Sequence, residues 1–194
     1  MSIAKEDGSL SLVLIGGSSG SFAIFEEMIR LVKKPLSFAL IFVLHRGKSS
    51  TTVLPELFKN KTNVAMSEPY HLDPIEANCI YFAYPDYHLL IGPDQRFYYD
   101  CTHKDFFSRP SIDATFISAA VSGIHVKAAM LFSGSSADGA SGMKALAEKG
   151  FPTYVQNPAE AESPRMPEQA LSVYSKHQVM IDGNPFSIIN NILQ

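Results

Sequence analysis

The chain has 194 residues, 46% hydrophobic and 18% charged, with a formal net charge of -3. That balance describes a globular chain with a sizeable core and excludes a disordered or fibrous one, while the slight negative charge argues against bulk attraction to nucleic acid or an anionic membrane. Cys79 and Cys101 supply neither a disulfide framework nor a zinc set. No apolar run reaches membrane-spanning length and the first eight residues lack a signal-peptide core, so a cytoplasmic setting without membrane insertion is expected.

The first predicted strand, Leu10 to Ile15, drives into Gly16-Gly17-Ser18-Ser19-Gly20-Ser21, and a helical pattern follows in Phe22, Phe25, Met28, Ile29 and Val32. Strand, tight turn and helix put Ser18 at the crest of the turn, above unpaired N–H groups that favour negative charge. The letters also spell G-x-S-x-G in the context that a nucleophile elbow requires. A dinucleotide fingerprint would need glycines where Ser18 and Ser21 stand. An α/β-hydrolase would carry its elbow deeper in the chain and its residues in the order Ser, acid, His. A plain turn of small residues is the remaining alternative.

Phe38 to Leu44 is a continuous apolar run, the mark of a strand buried on both faces, and it ends in His45-Arg46-Gly47-Lys48. Leu54 to Phe58 reads as a short helix and Asn63 to Met66 as a short strand. Cys79 to Tyr84 is strand-like; His88 to Ile91 and Gln95 to Tyr99 then flank Gly92-Pro93-Asp94 as a hairpin. Ser111-Ile112-Asp113 offers an N-cap for a helix over Ala114 to Ser122. The strand Ala128 to Phe132 runs into Ser133-Gly134-Ser135-Ser136-Ala137-Asp138-Gly139 and a helix from Ala140 to Glu148. A strand over Thr153 to Gln156, a helix near Pro167 to Tyr174, Val179 to Ile181 and a tail from Phe186 to Leu193 complete the pattern. The expected fold is α/β: a doubly wound, mainly parallel sheet flanked by helices, with an inserted antiparallel hairpin. One domain is expected over residues 1–194, its core at about 10–182.

In such a sheet the site lies beyond the C-terminal strand ends, where strand order reverses. Three strands end in Ser18, His45 and Asp138, the types that a serine hydrolase needs as nucleophile, base and orienting acid. Of the other histidines, His71, His103, His125 and His177 stand in polar or segment-edge contexts and are expected at the surface. Cys79, in an apolar strand, reads as an inert thiol, and Phe97-Tyr98-Tyr99 as hairpin packing.

These residues resemble the catalytic domain of the CheB-type protein-glutamate methylesterases of bacterial chemotaxis. Ile15-Gly16-Gly17-Ser18-Ser19-Gly20-Ser21 stands in register with that family's Ile-Gly-Ala-Ser-Thr-Gly-Gly turn. Gly134-Ser135-Ser136-Ala137-Asp138-Gly139-Ala140-Ser141-Gly142-Met143 matches its Gly-Met-Gly-x-Asp-Gly-x-x-Gly-Met stretch. Arg109-Pro110-Ser111-Ile112-Asp113, Gln156-Asn157 and Met166-Pro167 match as well, and the likeness runs from about Leu12 to Ile181. The resemblance implies a Ser18-His45-Asp138 triad that hydrolyses glutamyl methyl esters on chemoreceptors, with glutamine deamidation as a second activity and no metal or organic cofactor. Backbone N–H groups near Ser19 and Ser135, with the Ser19 hydroxyl, are the implied oxyanion donors, and His88 matches a histidine often seen in the family.

There are departures. Arg46-Gly47-Lys48-Ser49-Ser50 replaces a Met-Pro-Pro-Gly-Phe-type loop, and Ser135 replaces a methionine whose backbone donor survives the exchange. The family's receiver domain and linker have no counterpart in these 194 residues. An open site is therefore expected, with Arg46 and Lys48 on its rim as candidates for drawing in substrate. A catalytically inactive interaction domain of the same fold is the alternative.

Overall fold

Side-chain alternation along the first strand, β1 (Ser11–Gly17), sets the layers. Leu12 and Leu14 point into one apolar cluster, Val13 and Ile15 into another, and all four are buried. A strand so buried needs cover on both faces, and helices supply it. The computed structural model describes residues 9–33, 35–46, 53–102, 108–180 and 185–193.

In chain order β1 is followed by α1 (Phe22–Leu31), β2 (Ala39–Leu44), α2 (Leu54–Phe58), β3 (Ala65–Ser67) and β4 (Cys79–Phe82). Then come β5 (His88–Ile91), β6 (Phe97–Asp100), α3 (Ile112–Val121), β7 (His125–Leu131) and α4 (Ala140–Glu148). The chain closes with β8 (Thr153–Gln156), a 3-10 turn, α5 (Arg165–Val173), β9 (Gln178–Met180) and α6 (Pro185–Leu193). Seven strands pair in parallel in the order β3-β4-β2-β1-β7-β8-β9. The order turns back between β1 and β7, so the crevice expected of a doubly wound sheet opens at the ends of β2, β1 and β7. The hairpin β5–β6 stands apart as its own two-stranded antiparallel sheet.

Residues of α3, α4 and α5 join the cluster with Leu12 and Leu14; residues of α1, α2 and α6 join the cluster with Val13 and Ile15. In the second, a run of rings fastens helices to strands: Phe25–Phe42 at 5.1 Å, Phe42–Phe82 at 5.4 Å and Phe82–Phe58 at 5.7 Å between centroids. Phe42 is the middle of that run and is fully buried. Its replacement by alanine costs about 3–5 kcal/mol, because the cavity cannot collapse between two strands and a helix.

Two sequence expectations change. His177 is buried, only 5% exposed, and its Nδ1 lies 2.8 Å from the Thr153 hydroxyl. Its position just before β9, against the start of β8, takes it inside although its sequence neighbours are polar. Burial lowers its pKa. The seventh strand begins at His125 rather than Ala128, with the register against β1 shifting between Leu12 and Val13. Ile181, Lys48 and His103 lie outside the described residues. Among the described residues, no helix is long and apolar enough to cross a membrane.

Candidate active site

The turn after β1 is tied from both sides. Ser18 N–H donates to the Ser133 carbonyl at 2.8 Å, and the Ser18 carbonyl accepts from Ser21 N–H at 3.1 Å and from the Ser21 hydroxyl at 2.7 Å. Ser21 is fully buried and spends its side chain on this turn rather than on capping α1. A Cβ at Gly17 would lie 2.6 Å from that hydroxyl, so with a serine at position 21 a side chain there would force the turn to shift. Gly20 adopts φ +81°, the left-handed region that lets the chain double back into the helix. Ser18 is left half-buried and Ser19 exposed.

The end of β7 closes on the same turn. The Ser133 hydroxyl donates to the Ser19 carbonyl at 2.6 Å and accepts from Ser163 N–H at 2.9 Å. Ser133 N–H donates to the Gln156 side chain at 2.8 Å, which gives Gln156 a supporting role beneath the site. A Cβ on Gly134 would come within 2.5 Å of Met166 Cε and 3.1 Å of Ser18 Cβ. Ser135, the next residue along, is exposed. The N–H groups of Ser19 and Ser135 donate no hydrogen bond among the described residues. Two backbone donors without partners beside one hydroxyl are what an oxyanion requires.

Opposite them sits an acid and a base. His45 follows β2, its backbone N–H bonded to the Gly17 carbonyl at 3.3 Å. Its Nε2 lies 2.7 Å from Asp138 Oδ2, and its Nδ1 3.2 Å from the Ser108 hydroxyl. Asp138 is fully buried. Its carboxylate also accepts from Ile112 N–H at 2.7 Å, Asp113 N–H at 2.9 Å, Gly139 N–H at 3.0 Å and the Ser111 hydroxyl at 3.0 Å. Burial by itself would raise this carboxyl, but the His45 hydrogen bond, the imidazole charge and the α3 backbone donors hold it below the usual carboxylate range. A charge this deep persists only with such a set of donors. The hydroxyl of Ser18, by contrast, makes no hydrogen bond to His45 among the described residues.

Other sequence candidates take different places. His88 is only 2% exposed and its Nδ1 accepts from Ser111 N–H at 3.1 Å, so it supports the acid from beneath and does not face a substrate. Arg46 does not offer a free charge at the rim: its guanidinium lies 2.6 Å from Glu68, both side chains nearly buried. Three residues escaped assignment to the site from sequence. Ser111 reads as a helix cap, and it does accept from Ala114 N–H at 3.2 Å, yet its hydroxyl also donates to Asp138. Asp113 accepts from Gly142 N–H at 2.6 Å, and burial pushes its carboxyl up to about 6. Ser108 has no local pattern to betray it. Among the described residues, no three His, Cys, Asp or Glu side chains converge as a metal site.

A mainly parallel sheet flanked by helices, with a serine turn, a histidine and a buried acid gathered at its switch point, defines the chain as a doubly wound α/β protein. The family model for the CheB methylesterase matches residues 13–183, and the chain belongs to that family, whose members are carboxylic ester hydrolases. A Leptospira interrogans protein provisionally named protein-glutamate methylesterase/protein-glutamine glutaminase is 29% identical over 168 residues, 87% of either chain. The protein-glutamate methylesterase FrzG of Myxococcus xanthus is 26% identical over 91% of this chain, which spans about half (53%) of that longer protein. The crystal structure of the Thermotoga maritima CheB methylesterase catalytic domain superposes with a TM-score of 0.81 at 20% identity, covering 95% of this chain and 98% of that one.

Proposed function

We propose that the chain is a single catalytic domain, a cytoplasmic serine hydrolase that demethylates glutamyl methyl esters on chemoreceptor-like proteins and deamidates glutamine at the same site. The observation that carries this reading is the buried, ionised Asp138 bonded to His45 at the strand ends where Ser18 turns. By their names both relatives are protein-glutamate methylesterases, and the Leptospira protein is also named a protein-glutamine glutaminase.

In this reading Ser18 Oγ attacks the ester carbonyl carbon while its proton passes to His45. The carbonyl oxygen becomes an oxyanion facing the N–H groups of Ser19 and Ser135. Collapse of the tetrahedral species breaks the bond to methoxide, which leaves as methanol with the proton from His45. A water molecule then gives a proton to His45 and attacks the Ser18 ester, and collapse returns that proton to Ser18 and releases glutamate. Asp138 keeps the imidazole in one tautomer and stabilises its charged form.

The test is covalent. A fluorophosphonate should label Ser18, and the protein should release methanol from a receptor fragment carrying glutamyl methyl esters. Ser18→Ala should lose both reactions with its fold unchanged. Methanol release that persists in Ser18→Ala, or a wild-type protein inert to probe and ester alike, overturns the reading; the latter result leaves the interaction-domain alternative standing.

A further inference from the structure

The hydrogen bonds of His45 decide which ring nitrogen is the base, and that nitrogen already has a partner. An ionised carboxylate only accepts, so the Nε2 bonded to Asp138 Oδ2 at 2.7 Å carries the hydrogen. The lone pair of the neutral ring is then on Nδ1. Ser108 Oγ lies 3.2 Å from Nδ1, and a hydroxyl facing a lone pair donates. Asp138 fixes the ring from its other edge, through a carboxylate that is itself anchored by the start of α3. Ser108 is therefore not needed to aim the imidazole. It fills the one acceptor position that Ser18 requires.

We propose that Ser108 is a positioning residue that caps the base nitrogen of His45 in the resting protein and yields it to Ser18 when substrate engages. The proposal rests on the reading of Ser18 as nucleophile and His45 as base. The two serines compete for a single lone pair, since Nδ1 accepts one good hydrogen bond at a time. The His45 side chain is only 9% exposed, so little water is at hand to take over when Ser108 is absent. The competition is set by the net worth of one neutral hydrogen bond, which corresponds to about a 2-fold to 12-fold change in the occupancy of Nδ1. Capping keeps Ser18 a neutral, unpolarised hydroxyl until a bound ester draws it toward the base.

The experiment uses the full chain labelled with ¹⁵N-histidine, with Ser108→Ala and Ser108→Thr beside it. In the wild type, His45 Nε2 should resonate as the protonated ring nitrogen, and Nδ1 as an acceptor that is hydrogen-bonded. In Ser108→Ala the Nδ1 resonance should move toward that of an unbonded acceptor while Nε2 stays in place, and fluorophosphonate should phosphonylate Ser18, with loss of fluoride, about 2-fold to 12-fold faster. Ser108→Thr keeps the hydroxyl and should restore both the resonance and the rate. A proton on Nδ1 in the wild type, an unmoved Nδ1 resonance in Ser108→Ala, or phosphonylation that is unchanged or slower overturns the cap. If the wild type is not phosphonylated at all, the Ser18 reading fails instead, and the Nδ1 resonance alone decides whether Ser108 caps His45.

Discussion

The two sides of the crevice are built on opposite plans. On the acid side Asp138 accepts from four protein donors besides His45, is fully buried, and is held ionised. On the Ser18 side that residue is half-buried, Ser19 and Ser135 are exposed, and the N–H groups of Ser19 and Ser135 point to no partner among the described residues. The difference fits what each side would do in the proposed reaction. A charge-holding group is useful only if it is preorganised, so its bonds are complete before substrate arrives. A nucleophile and its oxyanion donors must instead keep their valences for a group that comes from outside. In that reading, complete bonding on one side and open donors on the other divide the work of one site.

Breaking the finished side should give the largest effect. Asp138→Asn removes the charge but nearly keeps the shape, and turnover should fall on the order of 10⁴-fold, the loss seen when a triad acid becomes an amide. Steady-state hydrolysis of a glutamyl methyl ester checks this; a fall of less than about 100-fold would mean that Asp138 is a helix-terminus acceptor with little part in the chemistry. The variant should also be less stable, since an amide nitrogen would face donors that the carboxylate now satisfies.

The open side gives the next effect, and it separates backbone from side chain. Ser135→Ala leaves the N–H in place and should change turnover by no more than about 2-fold, whereas Ser135→Pro deletes the donor and should cost about 10²-fold to 10³-fold. Circular dichroism and thermal melts keep a folding defect from being mistaken for a lost donor. Equal effects of the two substitutions would remove Ser135 from the oxyanion site.

Asp113 sharpens the comparison on the acid side itself, because it shares that buried corner but titrates the other way. Its folded carboxyl is pushed up to about 6 against an ordinary 3.8, chiefly by burial and with the Asp138 charge adding to it. Between those values the native state binds more protons than the unfolded chain, so stability falls as pH rises across that window. The span is roughly 2–3 kcal/mol at about 1.36 kcal/mol per unit. Asp113→Asn, whose amide oxygen can still accept from Gly142, should flatten this slope in denaturant melts between pH 4 and 6 (~2 units). Asp138 has the opposite sign: its carboxyl is held low, so its contribution is present at neutral pH and lost as pH falls through its folded value.

The smallest effect is expected far from the crevice. Burial lowers the pKa of His177, so the native state holds fewer protons there than the unfolded chain does. Stability should fall as pH drops below the ordinary histidine range, near ~6.5. His177→Gln should remove that component while esterase activity at neutral pH stays unchanged. A loss of activity in that variant would show that the start of β8 and β9 communicates with the site.

Much of this protein is legible in its sequence. Local runs mark the strands that matter: the strands read at Leu10 to Ile15, Phe38 to Leu44 and Ala128 to Phe132 are largely apolar because both faces of a parallel sheet are covered, and that condition leaves its mark on each stretch separately. The turn at Ser18 was visible for a similar reason, since φ +81° at Gly20 and the tight packing at Gly17 admit only particular residues at those positions. What the sequence did not yield depends on groups distant in the chain. Ser108 meets His45 across 63 positions, His88 meets Ser111 across 23, and Arg46 is taken up by Glu68 across 22. No periodicity records such pairs, because a hydroxyl or an imidazole has the same local signature whether it ends in water or against a partner. His177 was misread on that account: polar neighbours argue for the surface, and only the packing of β9 against β8 carries it inside. The residue types of the site were thus fixed by local chemistry, while their protonation, pairing and exposure were decided by how the strands are ordered.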